Sequence, residues 1–132
     1  MKKTWIFILL AFVQGVAFSA TVETLDETTK SWNNTELPKL NTEKTKITTL
    51  RITIAPGEKL PMHKHPVVNV GYLVKGQLQV TTKTGAVQKM KAGESIVEVV
   101  DQWHYGENTG KTDAVIVVIY IGDASEKLTI MQ

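Results

Sequence analysis

The chain has 132 residues, of which 42% are hydrophobic and 21% are charged, as expected for a folded protein rather than a disordered or fibrous one. This length accommodates one domain with one core. Fifteen basic residues stand against thirteen acidic ones, and the basic residues are not clustered in a stripe. We therefore expect no nucleic-acid partner, because binding to phosphate backbones needs clustered positive charge. The chain contains no cysteine, so no disulfide supports its fold.

The first nineteen residues have the layout of a secretory signal peptide. Lys2 and Lys3 form a positive start, an apolar stretch follows, and Ala17 and Ser19 are small residues before the expected cleavage point. An uncleaved anchor is the alternative, but the apolar stretch is short and interrupted for a bilayer span. We predict a signal peptide over residues 1–19 and a periplasmic or secreted mature protein. After cleavage the protein would have no stable membrane insertion.

The following segments predict strands separated by turns. Residues 20–45 are polar with scattered apolar anchors, and we predict an N-terminal strand followed by a loop. From residue 46 the pattern changes, because Leu50, Ile52 and Ile54 alternate with polar residues, which predicts a strand with one buried face. Further strands are predicted over residues 67–74, 77–82, 86–90, 95–100, 113–121 and 127–131.

Many short strands and glycine-containing turns, without a sustained helical period, are typical of an antiparallel β-sandwich or barrel. The strand predicted over residues 113–121 is apolar on both faces, so we expect both faces to be covered. The interior of a small barrel covers one face, and a second sheet or a second subunit would cover the other. We therefore predict an all-β domain over residues 46–132 that forms a homodimer.

The three histidines of the chain are candidates for a metal site. His63 and His65 are two residues apart, so in a strand their side chains point to the same side, and Asn69 shares this parity if the strand is unbroken. His104 would supply the third imidazole from a neighbouring strand. A surface pair or a packed core histidine is the alternative explanation. Neutral imidazole suits iron, manganese, zinc, nickel or copper, so these ligands do not select the metal.

The spacing around the first two histidines resembles the first motif of the cupin superfamily. That motif consists of a glycine, five residues, His-x-His, three or four residues, a glutamate, six residues and a glycine. Gly57, His63, His65 and Gly76 match it, and Asn69 stands in the position of the glutamate.

The third histidine lies in a stretch that resembles the second cupin motif. Gly93, His104 and Asn108 match at the expected intervals, while Val99 and Asp101 replace a proline and a glycine. Together the two motifs make the chain similar to small single-domain bacterial cupins. The resemblance implies a small antiparallel β-barrel or jelly roll that binds a divalent transition metal and a small-molecule ligand or substrate.

The resemblance also shows where this chain departs from the family. Cupins commonly use the glutamate as a fourth, anionic ligand, whereas Asn69 offers only a neutral amide. Glu98 precedes the position that the family fills with proline. Its side chain could point into the barrel, as a replacement ligand or a general base with a raised pKa, or it could face solvent.

Other residues are weaker candidates for lining a ligand pocket. Gly71 shares the inward parity of Asn69 and would leave room for a ligand above the metal. Tyr72, Trp103 and Tyr105 could line the mouth of a pocket, although aromatic residues at such positions also serve as core or interface residues.

Three functions are compatible with this site. The first is a metal-dependent enzyme of the dioxygenase, isomerase or lyase type, in which Glu98 moves a proton of a small oxygen-rich or anionic molecule. The second is a non-catalytic cupin that binds a small molecule or a metal. The third is a structural dimer whose histidines are a relic. The fold does not select among them, because cupin barrels host enzymes and non-enzymatic proteins alike.

Overall fold

A computed structural model describes residues 20–132, and the predicted signal peptide lies outside the described residues. All regular structure in residues 20–132 is β-structure, and within this range no helix is long and apolar enough to cross a membrane. The strands are β1 Thr45–Ile54, β2 His63–Lys64, β3 Val68–Lys75, β4 Gln77–Thr82, β5 Val87–Lys91, β6 Ser95–Val97, β7 His104–Glu107, β8 Ala114–Asp123 and β9 Ile130–Met131.

The strands form two antiparallel sheets that enclose one apolar core. One sheet has the strand order β1-β8-β3-β6, and the other has the order β5-β4-β7-β2-β9. Leu73 from the first sheet and Val80 from the second both lie in this core. The predicted all-β fold, a small antiparallel barrel or jelly roll, is confirmed.

The longest ladder joins β1 and β8, which pair along all ten residues of each strand. Leu50, Ile52 and Ile54 of β1 face a cavity between the sheets, as their alternation with polar residues predicts. Ile116 and Val118 of β8 face the same cavity.

The outer face of β8 is apolar and only half covered. Ile119 is 41% exposed, and its cross-strand neighbours Val70 and Thr49 carry this face onto β3 and β1. Ile47 of β1, on the same face, is 65% exposed. Within residues 20–132 of one chain, nothing fully covers this outer face of β8, although the sequence leads us to expect that both faces of the strand are covered. The homodimer that would cover it stays a prediction.

Residues 20–44 lie largely exposed as loop and turn, and the described structure has no named strand there. The predicted N-terminal strand is replaced by an isolated bridge between Lys30 and Glu36. Hydrogen bonds and the packing of Trp32 against the hydrophobic core join this segment to the barrel. The main-chain N–H of Trp32 donates to the Val97 carbonyl at 2.9 Å, and the Ser31 hydroxyl donates to the main-chain carbonyl of Glu98 at 2.8 Å.

Gly71 faces the interior, but the space beside it is filled by the core. A Cβ atom at this position would lie 2.8 Å from Cδ1 of Ile116 and 3.1 Å from Cγ2 of Ile96. The expectation that Gly71 leaves room for a ligand is therefore wrong. Its missing side chain lets two isoleucines pack directly against the β3 backbone.

Candidate metal centre

A cavity of about 250 Å³ lies between the two sheets. Most of its lining is aliphatic, and its polar side chains include all five residues predicted as metal ligands or as the catalytic group: His63, His65, Asn69, Glu98 and His104. The fold therefore brings these residues together. Their roles as ligands or as a catalytic group stay predictions.

The three histidines form one compact group. One ring nitrogen of each lies within 4.8 Å of the corresponding atoms of the other two. The ring centroids of His63 and His104 are 4.6 Å apart, and that of His65 lies 4.9 Å from His63 and 5.1 Å from His104. The group could hold one metal ion.

Strand register explains why the imidazoles meet. β2 lies between β7 and β9, and His63 stands directly opposite His104. Directly opposite residues of an antiparallel pair have Cβ atoms about 5 Å apart. His65 follows two residues later, so it projects to the same side, and its main chain is held by a bridge to Val100.

Each imidazole is oriented by a hydrogen bond to a main-chain carbonyl. Nδ1 of His63 bonds to the Pro61 carbonyl at 2.7 Å, that of His65 to the Leu128 carbonyl at 2.8 Å, and that of His104 to the Gln102 carbonyl at 2.8 Å. A carbonyl oxygen can only accept, so Nδ1 must carry the proton in each ring. Each Nε2 is then left with a free lone pair, which is the arrangement that fixes the tautomer of metal-binding histidines.

Burial also keeps the imidazoles neutral. Desolvation is the main cause that lowers the pKa of all three histidines, and it brings the pKa of His65 to about 4. The hydrogen bonds to main-chain carbonyls oppose this effect only in part. Neutral imidazole is the form that coordinates a metal, so no proton has to be removed at neutral pH before binding.

Asn69 reaches the cavity by a different route from the one its parity suggests. The chain leaves the β-ladder at Pro66 and Val67, so β2 and β3 belong to different sheets. The strand is therefore broken before Asn69 and the condition for shared parity with His65 is not met, although Asn69 does face the cavity. Its side chain is fully buried, its Oδ1 has no hydrogen-bond partner, and its Nδ2 makes one long contact of 3.4 Å with the Val67 carbonyl.

Glu98 points inward rather than into solvent and is 8% exposed. It follows directly after β6, in a stretch from Ile96 to Val99 that is buried at every position. Burial raises the pKa of Glu98 to about 7, against smaller opposing effects from the Val99 main chain, from His63 and from Trp32. The indole N–H of Trp32 nevertheless makes no hydrogen bond, to Glu98 or to any other described residue.

The contact between Glu98 and His104 lacks a proton donor on the histidine side. Oε2 of Glu98 lies 3.8 Å from Nε2 of His104 and has no hydrogen-bond partner. Nε2 carries no proton, because Nδ1 is the donor to Gln102. When Glu98 is ionised, two acceptor atoms therefore face each other, and a cation placed near both would satisfy them.

Tyr120 is one of the cavity residues that were not singled out from the sequence, and it contacts a histidine. It is buried on β8, and its ring packs edge-on against His65 with centroids 5.3 Å apart. Burial and the nearby Glu98 raise the pKa of Tyr120 to about 12, so its phenol keeps its proton. The sequence signal for this residue was its spacing, since Ile116, Val118 and Tyr120 are two residues apart and lie on the same inward face of β8.

The aromatic residues named from the sequence do not line this cavity. Tyr72 lies 41% exposed on the outer face of its sheet. Tyr105 points away from the interior and packs under the Lys59 ammonium, 3.7 Å from the ring centroid. Trp103 lies half-buried near Lys64.

Two residues of the second motif serve the backbone rather than the cavity. The Asn108 amide is fully buried and donates to the carbonyls of Ile54 and Thr112, while its Oδ1 accepts from the Gly110 N–H. Asp101 has a φ of +55°, the left-handed conformation that favours glycine, at the position where the motif has a glycine.

The donor set fits a divalent transition metal. Three neutral imidazole nitrogens converge, and two buried oxygen atoms without partners, Asn69 Oδ1 and Glu98 Oε2, face the same cavity. Imidazole suits such metals, and oxygen donors complete their coordination.

Comparison with known proteins identifies the family. The Cupin domain model matches residues 50–120, more than half of the chain, so the chain belongs to this family. A search of curated proteins found no significant match.

Solved structures share the fold. Oxalate oxidase in complex with the substrate analogue glycolate is 27% identical with a TM-score of 0.54, and the match covers 64% of this chain and 45% of that one. The DMSP lyase DddQ from Ruegeria pomeroyi DSS-3 is 14% identical with a TM-score of 0.56, covering 65% and 43%. This chain thus spans less than half the length of both enzymes.

A third similar structure has almost the same extent as this chain. It is an uncharacterized conserved protein with a double-stranded beta-helix domain from Klebsiella pneumoniae, 18% identical with a TM-score of 0.58, and the match covers 86% of this chain and 97% of that one. At this level of identity the likeness shows the fold alone.

Proposed function

We propose that this cupin binds a divalent transition metal in its cavity through Nε2 of His63, His65 and His104, with Asn69 as a neutral oxygen ligand. The carrying observation is that all three Nδ1 atoms donate to main-chain carbonyls, which leaves three Nε2 lone pairs for one ion. The ligand types leave iron, manganese, zinc, nickel and copper open.

We further propose that the chain is a metal-dependent enzyme acting on a small molecule. The metal, when bound, would act as a Lewis acid towards an oxygen of the substrate or activate dioxygen. Glu98 would accept or donate the proton, because it is buried at the histidines with a pKa near neutrality. Tyr120 would offer a hydrogen bond from its protonated phenol. The likeness to oxalate oxidase supports an enzymatic role, while a dioxygenase, isomerase or lyase reaction all remain open.

Non-catalytic binding of a metabolite or a metal is the second candidate. The observation that favours it is Asn69, which places a neutral amide where the family motif has an anionic glutamate. Such a site holds a cation less tightly and leaves positions open for a ligand.

Elemental analysis of protein purified from its own compartment, without added metal, tests the metal site. We expect close to one transition-metal ion per chain in the wild type and a strongly reduced content in His63→Ala and His104→Ala. Leu50→Ala is the matched control, since Leu50 lines the cavity without offering a ligand atom. Circular dichroism would verify that each variant is folded. Equal absence of metal from the wild type and the variants would refute the site.

Glu98→Gln separates the two functions. A catalytic role predicts that the variant keeps its metal but loses turnover or oxygen uptake in a substrate screen. A binding role predicts that ligands raise the melting temperature of both proteins and that neither turns them over.

We also propose, from the sequence of residues 1–19, that the protein is periplasmic or secreted after cleavage near Ser19. Mass spectrometry of the mature protein would detect the new N-terminus, and an intact N-terminus would contradict the proposal.

The exposed apolar face around Ile119 supports a homodimer. Light scattering should give twice the monomer mass for the wild type and the monomer mass for Ile119→Lys. A wild-type monomer at micromolar concentration would refute the dimer.

A further inference from the structure

The wall of the cavity beyond the histidines is built of core residues. Six aliphatic side chains from three strands contribute to it: Ile52, Ile54, Leu78, Val80, Ile116 and Val118. Five of the six are buried, and Ile52 is half-buried. Closely packed core side chains keep their positions, so this wall offers a preformed apolar surface.

Charge is confined to the end of the cavity that holds the histidines. Among the described residues that line the cavity, none is a lysine or an arginine, and Glu98 is the one carboxylate. Arg51, the single arginine of the chain, pairs with Val117 on the outer face of the sheet and is exposed. A second anionic group on a ligand would therefore find no counter-charge along the aliphatic wall and would lose its hydration there.

The strand geometry sets the length available to a ligand. Tyr120, Val118 and Ile116 are successive inward residues of β8, so about 14 Å separates the first from the last at about 3.4 Å per residue. The Tyr120 ring packs against His65, which marks the polar end. A molecule that binds at the histidines would thus extend past Val118 towards Ile116.

Resting on the proposed metal site, we propose that the ligand of this cavity has one oxygen-donor headgroup, neutral or singly anionic, and an apolar body of several carbon atoms. The headgroup lies at the histidines beside Glu98 and Tyr120. The body packs on the aliphatic wall formed by β1, β4 and β8. A dicarboxylate long enough to place its second carboxylate on this wall is excluded.

Three hydroxamates test this proposal on the full mature chain loaded with zinc, by isothermal titration calorimetry. Hexanohydroxamate should bind at least about tenfold more tightly than acetohydroxamate, because each buried methylene favours binding by about fourfold. The monohydroxamate of adipate differs from hexanohydroxamate by a terminal carboxylate and should lose this gain. Ile52→Asn should reduce the ratio between the first two probes, whereas Thr53→Ala, on the outward side of the same strand, should leave it unchanged.

The outcomes separate this inference from the metal site. Zinc uptake at one ion per chain, combined with equal binding of all three probes or tightest binding of the adipate derivative, overturns the inference and leaves the metal site standing. Failure to take up zinc overturns the proposed function. Hexan-1-ol, which needs no metal, then tests the apolar wall in the same protein. Its binding should raise the melting temperature, and a melting temperature that does not rise overturns the inference as well.

Discussion

Replacing Glu98 by glutamine in the metal-stripped protein should stabilise the fold at alkaline pH. Burial raises the pKa of this carboxyl from 4.5 to about 7. Since one pKa unit corresponds to about 1.4 kcal/mol, an ionised Glu98 costs the folded state about 3 kcal/mol. Glutamine has nearly the same shape and carries no charge, so the variant avoids this cost.

The sign of the effect follows from proton binding. Between pH 4.5 and about 7 the folded wild type holds the Glu98 proton while the unfolded chain releases it, so wild-type stability falls as the pH rises. The variant lacks this dependence. The free energies of unfolding of the two proteins should therefore nearly coincide at about pH 4.5, and at about pH 8.5 the variant should be more stable by about 3 kcal/mol.

Urea unfolding after dialysis against EDTA, followed by tryptophan fluorescence across this pH range, measures the difference directly. The histidines are present in both proteins, so their own titration largely cancels. Glu27→Gln, at an exposed position, controls for the loss of a surface carboxyl. A stability difference between wild type and Glu98→Gln that is the same at both ends of the range would show that Glu98 is hydrated, and would contradict a pKa raised by burial.

Three further substitutions test the framework of the site by thermal or urea unfolding. Gly71→Ala should cost about 1–3 kcal/mol, because the new methyl group overlaps Ile116; unchanged stability would contradict the close packing. Asn108→Ala should cost about 2–3 kcal/mol, since buried main-chain groups lose their partner, while metal content stays the same; a loss of metal without a loss of stability would contradict this structural role. Asp123→Asn should lower the melting temperature at pH 7, because main-chain hydrogen bonds, first that of Lys44, hold the pKa of this carboxylate below its ordinary value. That difference should narrow as the pH falls below 3.8, and a difference that grows in acid would contradict it.

Local periodicity and spacing determined much of this protein from the sequence. The alternation of Leu50, Ile52 and Ile54 predicts a strand with one inward face, and the structure has it. The spacing of His63, His65 and His104 within two cupin motifs anticipated both the fold and the three-histidine group. Such features depend on neighbours along the chain, which a sequence shows directly.

Which side chains share the cavity with the histidines depends on the tertiary fold and could not be read from local patterns. Asn69 enters from the opposite sheet because the chain turns at Pro66, and Glu98 could have faced solvent on local grounds alone. Tyr120 enters the cavity because β8 crosses the site. The space beside Gly71, in contrast, is filled by core side chains. These outcomes depend on pairing between strands far apart in sequence. A parity rule gives the side of a strand, but the partner across the sheet is set by the register and packing of the whole barrel.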